Sequence, residues 1–551
     1  MSLIDRLYSV LLFSAIIFTT SAAQDNKITK ENIKYAERIF GLEFTDTERD
    51  SMQDALNEQL NYFLEIHKVE LSNSIMPSLI FNSIPTGFQF PKNQKPVKFA
   101  NYNGTKLPNN LEDLAYFTIG QLAHLIKTKK ISSTQLTRFY IDRLKKYDPL
   151  LHCVVIITEE RALAEAKRAD EEIAKGKYRG MLHGIPYGVK DLLATKTYKT
   201  TWGATPFKDQ LINEDAAVIK KLEEAGAVLT AKLSMGALAW GDVWFGGKTR
   251  NPWDTSQGSS GSSAGSASSV SAGLLPFALG TETHGSIVSP STVCGTTGLR
   301  PSYGRVSRTG AMALSWSMDK IGVITRYTDD LAIVFNVIKG LDGKDQTLYD
   351  VPFNYEPEIN FKKLKIGYLK NDFARKYPFH NNDSIALKKF EELGAELIPI
   401  ELPDIAGRSL SLILNAEAAA AFDYLTRTDR DDLLERQIKN AWPNRFRASR
   451  FISAVDYINA NRVRTMLIEE FQNLFNKVDL YISPSWAGNN LLLTNLTGHP
   501  CVVLPNGFTE KGTPTSICIV GKLFDEGTII AAAKAFQDVT NHHKMHPPLF
   551  K

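Results

Sequence analysis

The sequence predicts an α/β fold: one sheet covered by helices on both faces, preceded by a helical arm. Three observations carry that prediction. From about residue 112 onward, short aliphatic runs alternate with longer stretches of helical periodicity, the pattern that gives a sheet a helical layer on each side. Ahead of them, residues 30–40 and 46–68 place Ile33, Ala36 and Ile39, then Leu56, Leu60, Phe63 and Ile66, at helical spacing. The chain has 551 residues, 43% hydrophobic and 23% charged, which is a soluble globular composition with length enough for a full core.

In chain order, Arg6 precedes an apolar run, Val10 to Phe18, that ends in small residues before Gln24. Ser21 and Ala23 occupy the positions a signal peptidase reads, and the run is well short of the ~20 residues that span a bilayer. Residues 1–23 are therefore expected to be a signal peptide cleaved after Ala23, sending the protein to the periplasm or outside the cell, with no transmembrane span once it is removed. An uncleaved anchor is the competing reading. Residues 24–111 form the helical arm and a Pro/Asn/Lys-containing connector at 84–110, and 112–551 form the single α/β/α domain.

Within that domain, Ser132 caps a helix running to Tyr147, and Cys153 to Ile157 reads as a buried strand. A helix to Lys175 follows. Asn213 is expected to cap the next, with Val218, Ile219, Leu222 and Ala225 on one face and Gly226 as its stop. Strands are expected at 227–231, 274–279, 365–369, 395–399 and 480–483, with helices near 407–427 and 449–476.

Composition excludes more than it selects. A formal net charge of +4 supplies no basic field for nucleic acid. Cys153, Cys294, Cys501 and Cys518 sit far apart in apolar surroundings and read as small buried hydrophobes rather than a metal or disulfide set. His542 and His543 lack a third ligand and read as surface residues. No metal or organic cofactor is implied.

The informative segment is residues 256–273, almost entirely Ser, Gly and Ala. Composition alone calls it a flexible linker. Its flank argues otherwise, because it feeds directly into the apolar run Leu274 to Leu279 and a second Gly/Ser/Thr cluster, Gly280 to Pro290. Cys294 to Gly304 then gives a third block. Together these resemble the amidase signature, in the form GGSSGGS, a strand, GTDTGGSIRxPA and CGxxGLKPTxG. Upstream, Gly184 to Asp191 is similar to the lysine segment of that family, and Leu496 to Pro505 to its C-terminal strand motif. The blocks stand in the family order across about 115–545.

The resemblance implies the amidase signature fold, a single α/β/α domain on a large mixed sheet. It also implies hydrolysis of a carbon–nitrogen bond in a small-molecule amide, linear or aryl. Ser286 would be the nucleophile, Ser262 the bridging serine with a cis peptide bond, and Lys190 the base. Ser263 would be a supporting serine, and the backbone N–H groups of Thr283, His284, Gly285 and Ser286 the oxyanion hole. A homodimer is compatible with the reading. The chemistry holds without the family: a serine hydroxyl needs a base, and lysine serves as one only when burial lowers its pKa.

Two rival motifs are set aside. Gly261 to Gly265 fits the G-x-S-x-G elbow, but its approach is rich in turn residues, and Ser317 to Lys320 fits S-x-x-K without its partner motifs. Three departures from the signature stand out: Glu282 replaces Asp, His284 replaces Gly, and Val288 replaces Arg. Glu282 is expected to find another cation, Arg300 or Arg305. His284 keeps open a Ser–His hydrolase. The altered loop keeps open a binding protein without turnover, and the family keeps open a glutaminase of the kind found in amidotransferases.

Overall fold

A computed structural model describes residues 27–550 except 404 and 487; the expected signal peptide lies outside the described residues. The first compact unit is a helical hairpin, α1 (Lys30–Phe40) and α2 (Asp46–His67). Both helices begin at a threonine, Thr29 and Thr45, in a reciprocal capping box with Asn32 and Glu48. Glu37 and Arg49 pair inside the hairpin at 2.7 Å.

The second unit begins at Ser72 and contains an eleven-stranded mixed sheet. Its strands are β1 (Val154–Ile157), β2 (Pro186–Lys190), β3 (Val228–Leu233), β4 (Phe277–Glu282), β5 (Thr297–Arg300) and β6 (Lys320–Thr325), then β7 (Ile366–Leu369), β8 (Leu397–Ile400), β9 (Leu480–Pro484), β10 (Cys501–Phe508) and β11 (Pro514–Gly521). Their order across the sheet is β1-β3-β2-β4-β6-β5-β10-β11-β9-β7-β8. β2 runs parallel to β3 and β4, whereas β6 is antiparallel to both β4 and β5. Every residue of β2, β3, β4 and β6 is buried, so both faces of the sheet's centre are covered, as the alternating pattern predicts.

The Ser/Gly stretch is no linker. Ala264–Ser271 forms a helix, α3, in which every residue is buried. Small side chains are required there: a Cβ on Gly265 would lie 2.3 Å from the Cys153 carbonyl oxygen. The serines satisfy themselves on neighbouring backbone, Ser266 donating to Leu279 O at 2.9 Å and Ser271 to Cys294 O at 2.6 Å.

Some expectations shift. The helix expected after Asn213 spans Ala217–Glu224 and starts at Ala216 without a side-chain cap. Its entry is tied instead by tertiary carbonyls, with Ala216 N–H donating to Ala194 O and Ala217 N–H to Thr309 O. The strand expected at 274–279 lies at Phe277–Glu282. The helix expected near 449–476 runs Ala454–Phe475, preceded by a short unexpected one at Trp442–Ser449, while the helix expected near 407–427 is broken into Gly407–Leu410, Ser411–Ala421 and Asp423–Arg427. His543 is buried and packs edge-on against Tyr327, since the C-terminal segment folds back onto the body. Asn495, in one of the chain's Asn-x-Thr sequences, is also fully buried. All four cysteines are buried free thiols.

Candidate active site

Three elements converge at the C-terminal ends of β2 and β4. β2 carries Lys190 as its last residue, the turn into α3 carries Ser262 and Ser263, and the loop leaving β4 carries Ser286. A Cβ on Gly280 would meet Ser263 Oγ at 2.8 Å, so a glycine in β4 lets that turn sit directly on the sheet. The Gly261–Ser262 peptide bond is cis, as the resemblance implies.

Lys190 is fully buried. Its Nζ lies 2.7 Å from Ser262 Oγ, 3.2 Å from Ser263 Oγ and 2.9 Å from Thr281 Oγ1. None of these partners is charged. The adjacent carboxylate, Asp191, is engaged elsewhere: it pairs with buried Lys232 at 3.1 Å and accepts from Thr201. Desolvation therefore dominates, with only weak opposition from Asp319 and Glu282, and lowers the Lys190 pKa to about 7. Ser262 Oγ has no hydrogen-bond partner other than Lys190 among the described residues, which leaves its second side available.

Ser286 is joined to this cluster through its backbone, its carbonyl accepting from Ser263 N–H at 3.1 Å. Its hydroxyl makes no hydrogen bond among the described residues, and the residue is 9% exposed. The backbone N–H groups of Thr283, His284, Gly285 and Ser286 make no turn or loop hydrogen bond among the described residues. Gly285 takes a φ of +93°, a value that favours glycine. Four uncommitted donors beside a free hydroxyl are the arrangement an oxyanion needs.

Two carboxylates hold this loop in place. Glu282 Oε2 accepts from Ile287 N–H and Val288 N–H, both at 2.9 Å, immediately after Ser286. Its Oε1 accepts from Arg300 and from Asn495, both at 2.8 Å. Arg300 is thus the cation that Glu282 requires, while Arg305 pairs with Glu526. Burial raises the Glu282 pKa, but Arg300, Asn495 and the Val288 N–H outweigh it and hold the carboxyl at about 2. On the other side, Asp319 Oδ1 accepts from Thr283 Oγ1 at 2.5 Å, and its Oδ2 accepts from Leu314 and Ser315 N–H. Asp319 escapes sequence reasoning because it sits inside the Ser317 to Lys320 motif, which lacks its partner motifs. As a serine–lysine pair that motif is indeed inert, since Ser317 is taken by Glu417 and Arg464.

His284 is exposed. The groups packed around its ring lower its pKa by displacing water; Glu282 opposes that shift, while Arg300, Arg408 and Lys320 add to it. A cavity of about 630 Å³ opens beside Thr281 and Thr283, walled by Leu192, Ala239, Met312 and Trp316 among others. Of the aromatics Trp240, Trp244, Phe245 and Trp316, only Trp316 lines it; Trp240 packs against Trp442 and Trp244 against Phe245.

Known proteins resemble this chain over the same region. A family profile described as Amidase matches residues 135–530. The A subunit of the glutamyl-tRNA(Gln) amidotransferase of Carboxydothermus hydrogenoformans is 34% identical over 488 residues, covering 79% of this chain and 100% of that protein. Among solved structures, native peptide amidase from Stenotrophomonas maltophilia superposes with a TM-score of 0.69 at 25% identity, covering 78% of this chain and 98% of its own. An amidase family protein from Bacillus anthracis gives a TM-score of 0.71 at 27% identity, covering 79% and 93%. With the family profile spanning most of the chain and the same fold in those structures, this protein belongs to the amidase signature family of serine amidases.

Proposed function

We propose that the chain hydrolyses a linear or aryl amide to a carboxylate and an amine or ammonia, with Ser286 as nucleophile, Ser262 as proton bridge and Lys190 as base. The observation that carries this reading is a fully buried lysine, 2.7 Å from Ser262 Oγ, whose hydrogen-bond partners are all uncharged. With a pKa of about 7, a substantial fraction of Lys190 is neutral at neutral pH and able to take a proton.

Ser286 Oγ attacks the amide carbon while its proton passes to Ser262 and the Ser262 proton passes to Lys190. The oxyanion that forms lies against the free N–H groups of residues 283–286, where loss of one such donor typically costs about 2.7–4 kcal/mol. The same relay runs backward to protonate the departing nitrogen, and the carbon–nitrogen bond breaks to leave an ester on Ser286. Water, deprotonated by the same relay, hydrolyses that ester and restores the serine.

The test is intact-protein mass spectrometry after exposure to a fluorophosphonate probe, on wild type, Ser286→Ala and Lys190→Ala. A single adduct on Ser286, lost in both variants, is the expected result. A folded wild type with no adduct sinks the reading and favours a binding protein without turnover. His284→Ala separates the Ser–His alternative, because a Lys190 base predicts a far milder loss for it than for Lys190→Ala.

A second reading has one observation behind it, the 34% identity to that amidotransferase component over the component's whole length. In that reading the ammonia released is passed on rather than lost. We also propose that the mature chain begins near Gln24 and is exported, which N-terminal sequencing of the native protein checks; a native chain that retains Met1 overturns it.

A further inference from the structure

Lys320 opens β6 and is paired in register with Glu282 of β4, so its side chain leaves the sheet on the side of the nucleophile loop. It is 3% exposed and lines the cavity that reaches Thr281 and Thr283. A lysine has three donors, and the only hydrogen bond Lys320 Nζ makes among the described residues is to the Met318 carbonyl. The nearby carboxylates are occupied: Glu282 by Arg300, Asn495 and two backbone N–H groups, and Asp319 by Thr283 and two more. In the same wall, Trp316 has a buried indole N–H with no partner among the described residues. A buried lysine with no counter-charge bonded to it and an orphaned donor are each costly. Together they describe a site that is short of acceptors.

We propose that Lys320 and Trp316 form an anion subsite that reads a carboxylate on the acyl half of the substrate, making the preferred substrate the monoamide of a dicarboxylic acid. The rest of the cavity fits such a molecule, since Leu192, Ala239 and Met312 offer an apolar wall for a short carbon chain between the two polar ends. Burial, reinforced by Arg300, also pushes the Lys320 pKa well below the ordinary lysine range, and a carboxylate brought alongside restores its charge. The inference rests on the amidase reading for its chemistry, but the subsite is testable without turnover.

Two measurements on the full chain decide it. The first compares kcat/KM for succinamate and glutaramate with the chain-matched butyramide and valeramide. Wild type is expected to favour the carboxylate-bearing amide by about tenfold or more, as a charge-assisted bond allows, and Lys320→Met to bring that ratio close to one. The second measures succinate and glutarate binding to Ser286→Ala by calorimetry, where adding Lys320→Met is expected to weaken affinity by about tenfold. Trp316→Phe keeps the ring and removes the N–H, and about a threefold loss is expected from it; it covers the case in which Lys320→Met melts early. Dicarboxylate binding that depends on Lys320 without any amide turnover would sink the amidase reading and leave the subsite standing. Turnover with no carboxylate preference in wild type, or dicarboxylate affinity unchanged in folded Lys320→Met and Trp316→Phe, overturns the subsite.

Discussion

At the scale of single residues, the site depends on where Lys190 keeps its proton. Its pKa is lowered from 10.5 to about 7 because burial disfavours the ammonium and no carboxylate bonds to it. In the proposed mechanism the base is the neutral amine, so activity is expected to be lost on the acid side. The expected kcat/KM profile rises with pH and levels off above about 7, with about a tenfold drop for each unit below that. Lys190→Ala is expected to remove that limb and lower kcat by about a hundredfold to ten-thousandfold. A profile controlled by a group near pH 4, or a limb that survives Lys190→Ala, would show that another residue is the base. Asp191 matters here by being occupied: its ion pair with Lys232 keeps a nearby anion from stabilising the charged form of Lys190.

At the scale of elements, the loop from β4 to the nucleophile is held at both ends, and its altered residues make sense as a set. Glu282 does its work through backbone N–H groups of Ile287 and Val288, so Val288 needs no guanidinium in its place. The required cation comes from Arg300 in β5, at 2.8 Å. Replacing Glu282 by Gln leaves Arg300 buried without a counter-charge, which is expected to cost about 3–5 kcal/mol and to lower kcat as the loop loosens. The pH dependence has a definite sign. The Glu282 pKa falls from 4.5 to about 2 on folding, so its contribution is complete above about pH 4.5 and disappears as pH falls through 2. Denaturation midpoints of wild type and Glu282→Gln should therefore differ most at neutral pH and converge on acidification. A constant gap down to pH 2 would mean that the carboxylate charge is not what stabilises the loop.

At the scale of the whole molecule, what the sequence made legible was local. Lys190, Ser262 and Ser286 were readable as candidates because each lies in a short block whose residue types suit such chemistry, and Arg300 was readable as one of two cations within reach of Glu282. β5 and β6 were not. Thr297–Arg300 is four residues with a glycine inside, and in β6 the apolar residues Ile321, Val323 and Ile324 are interrupted by Gly322 behind an opening lysine, although both strands are central and buried. Asp319 was invisible for a related reason: its partner Thr283 is 36 residues away and meets it only because β4 and β6 are neighbours. The helix entry at Ala216, tied to Thr309 and Ala194 carbonyls, is likewise a tertiary arrangement with no local signature.

The same long reach closes the fold at its C-terminus. Phe550 is fully buried, its ring 5.1 Å from Tyr147. Its carbonyl accepts from Tyr116 Oη at 2.9 Å and from Arg143 at 2.8 Å, joining residues more than four hundred positions apart in the chain. Arg143 is itself buried and also donates to Gly273 O at 2.9 Å, just beyond α3, so the last turn of the chain braces the helix that follows Ser262 and Ser263. Phe550→Ala should open a cavity and cost about 3–5 kcal/mol, seen as a lower melting temperature. Because the carbonyl contacts are backbone and the proposed triad lies on β2, the turn into α3 and the loop leaving β4, Ser286 labelling well below the melt should proceed at close to the wild-type rate. A large fall in labelling in a protein that is still folded would mean that the C-terminal latch sets the position of α3, and with it the Ser262 hydroxyl, rather than only holding the domain together.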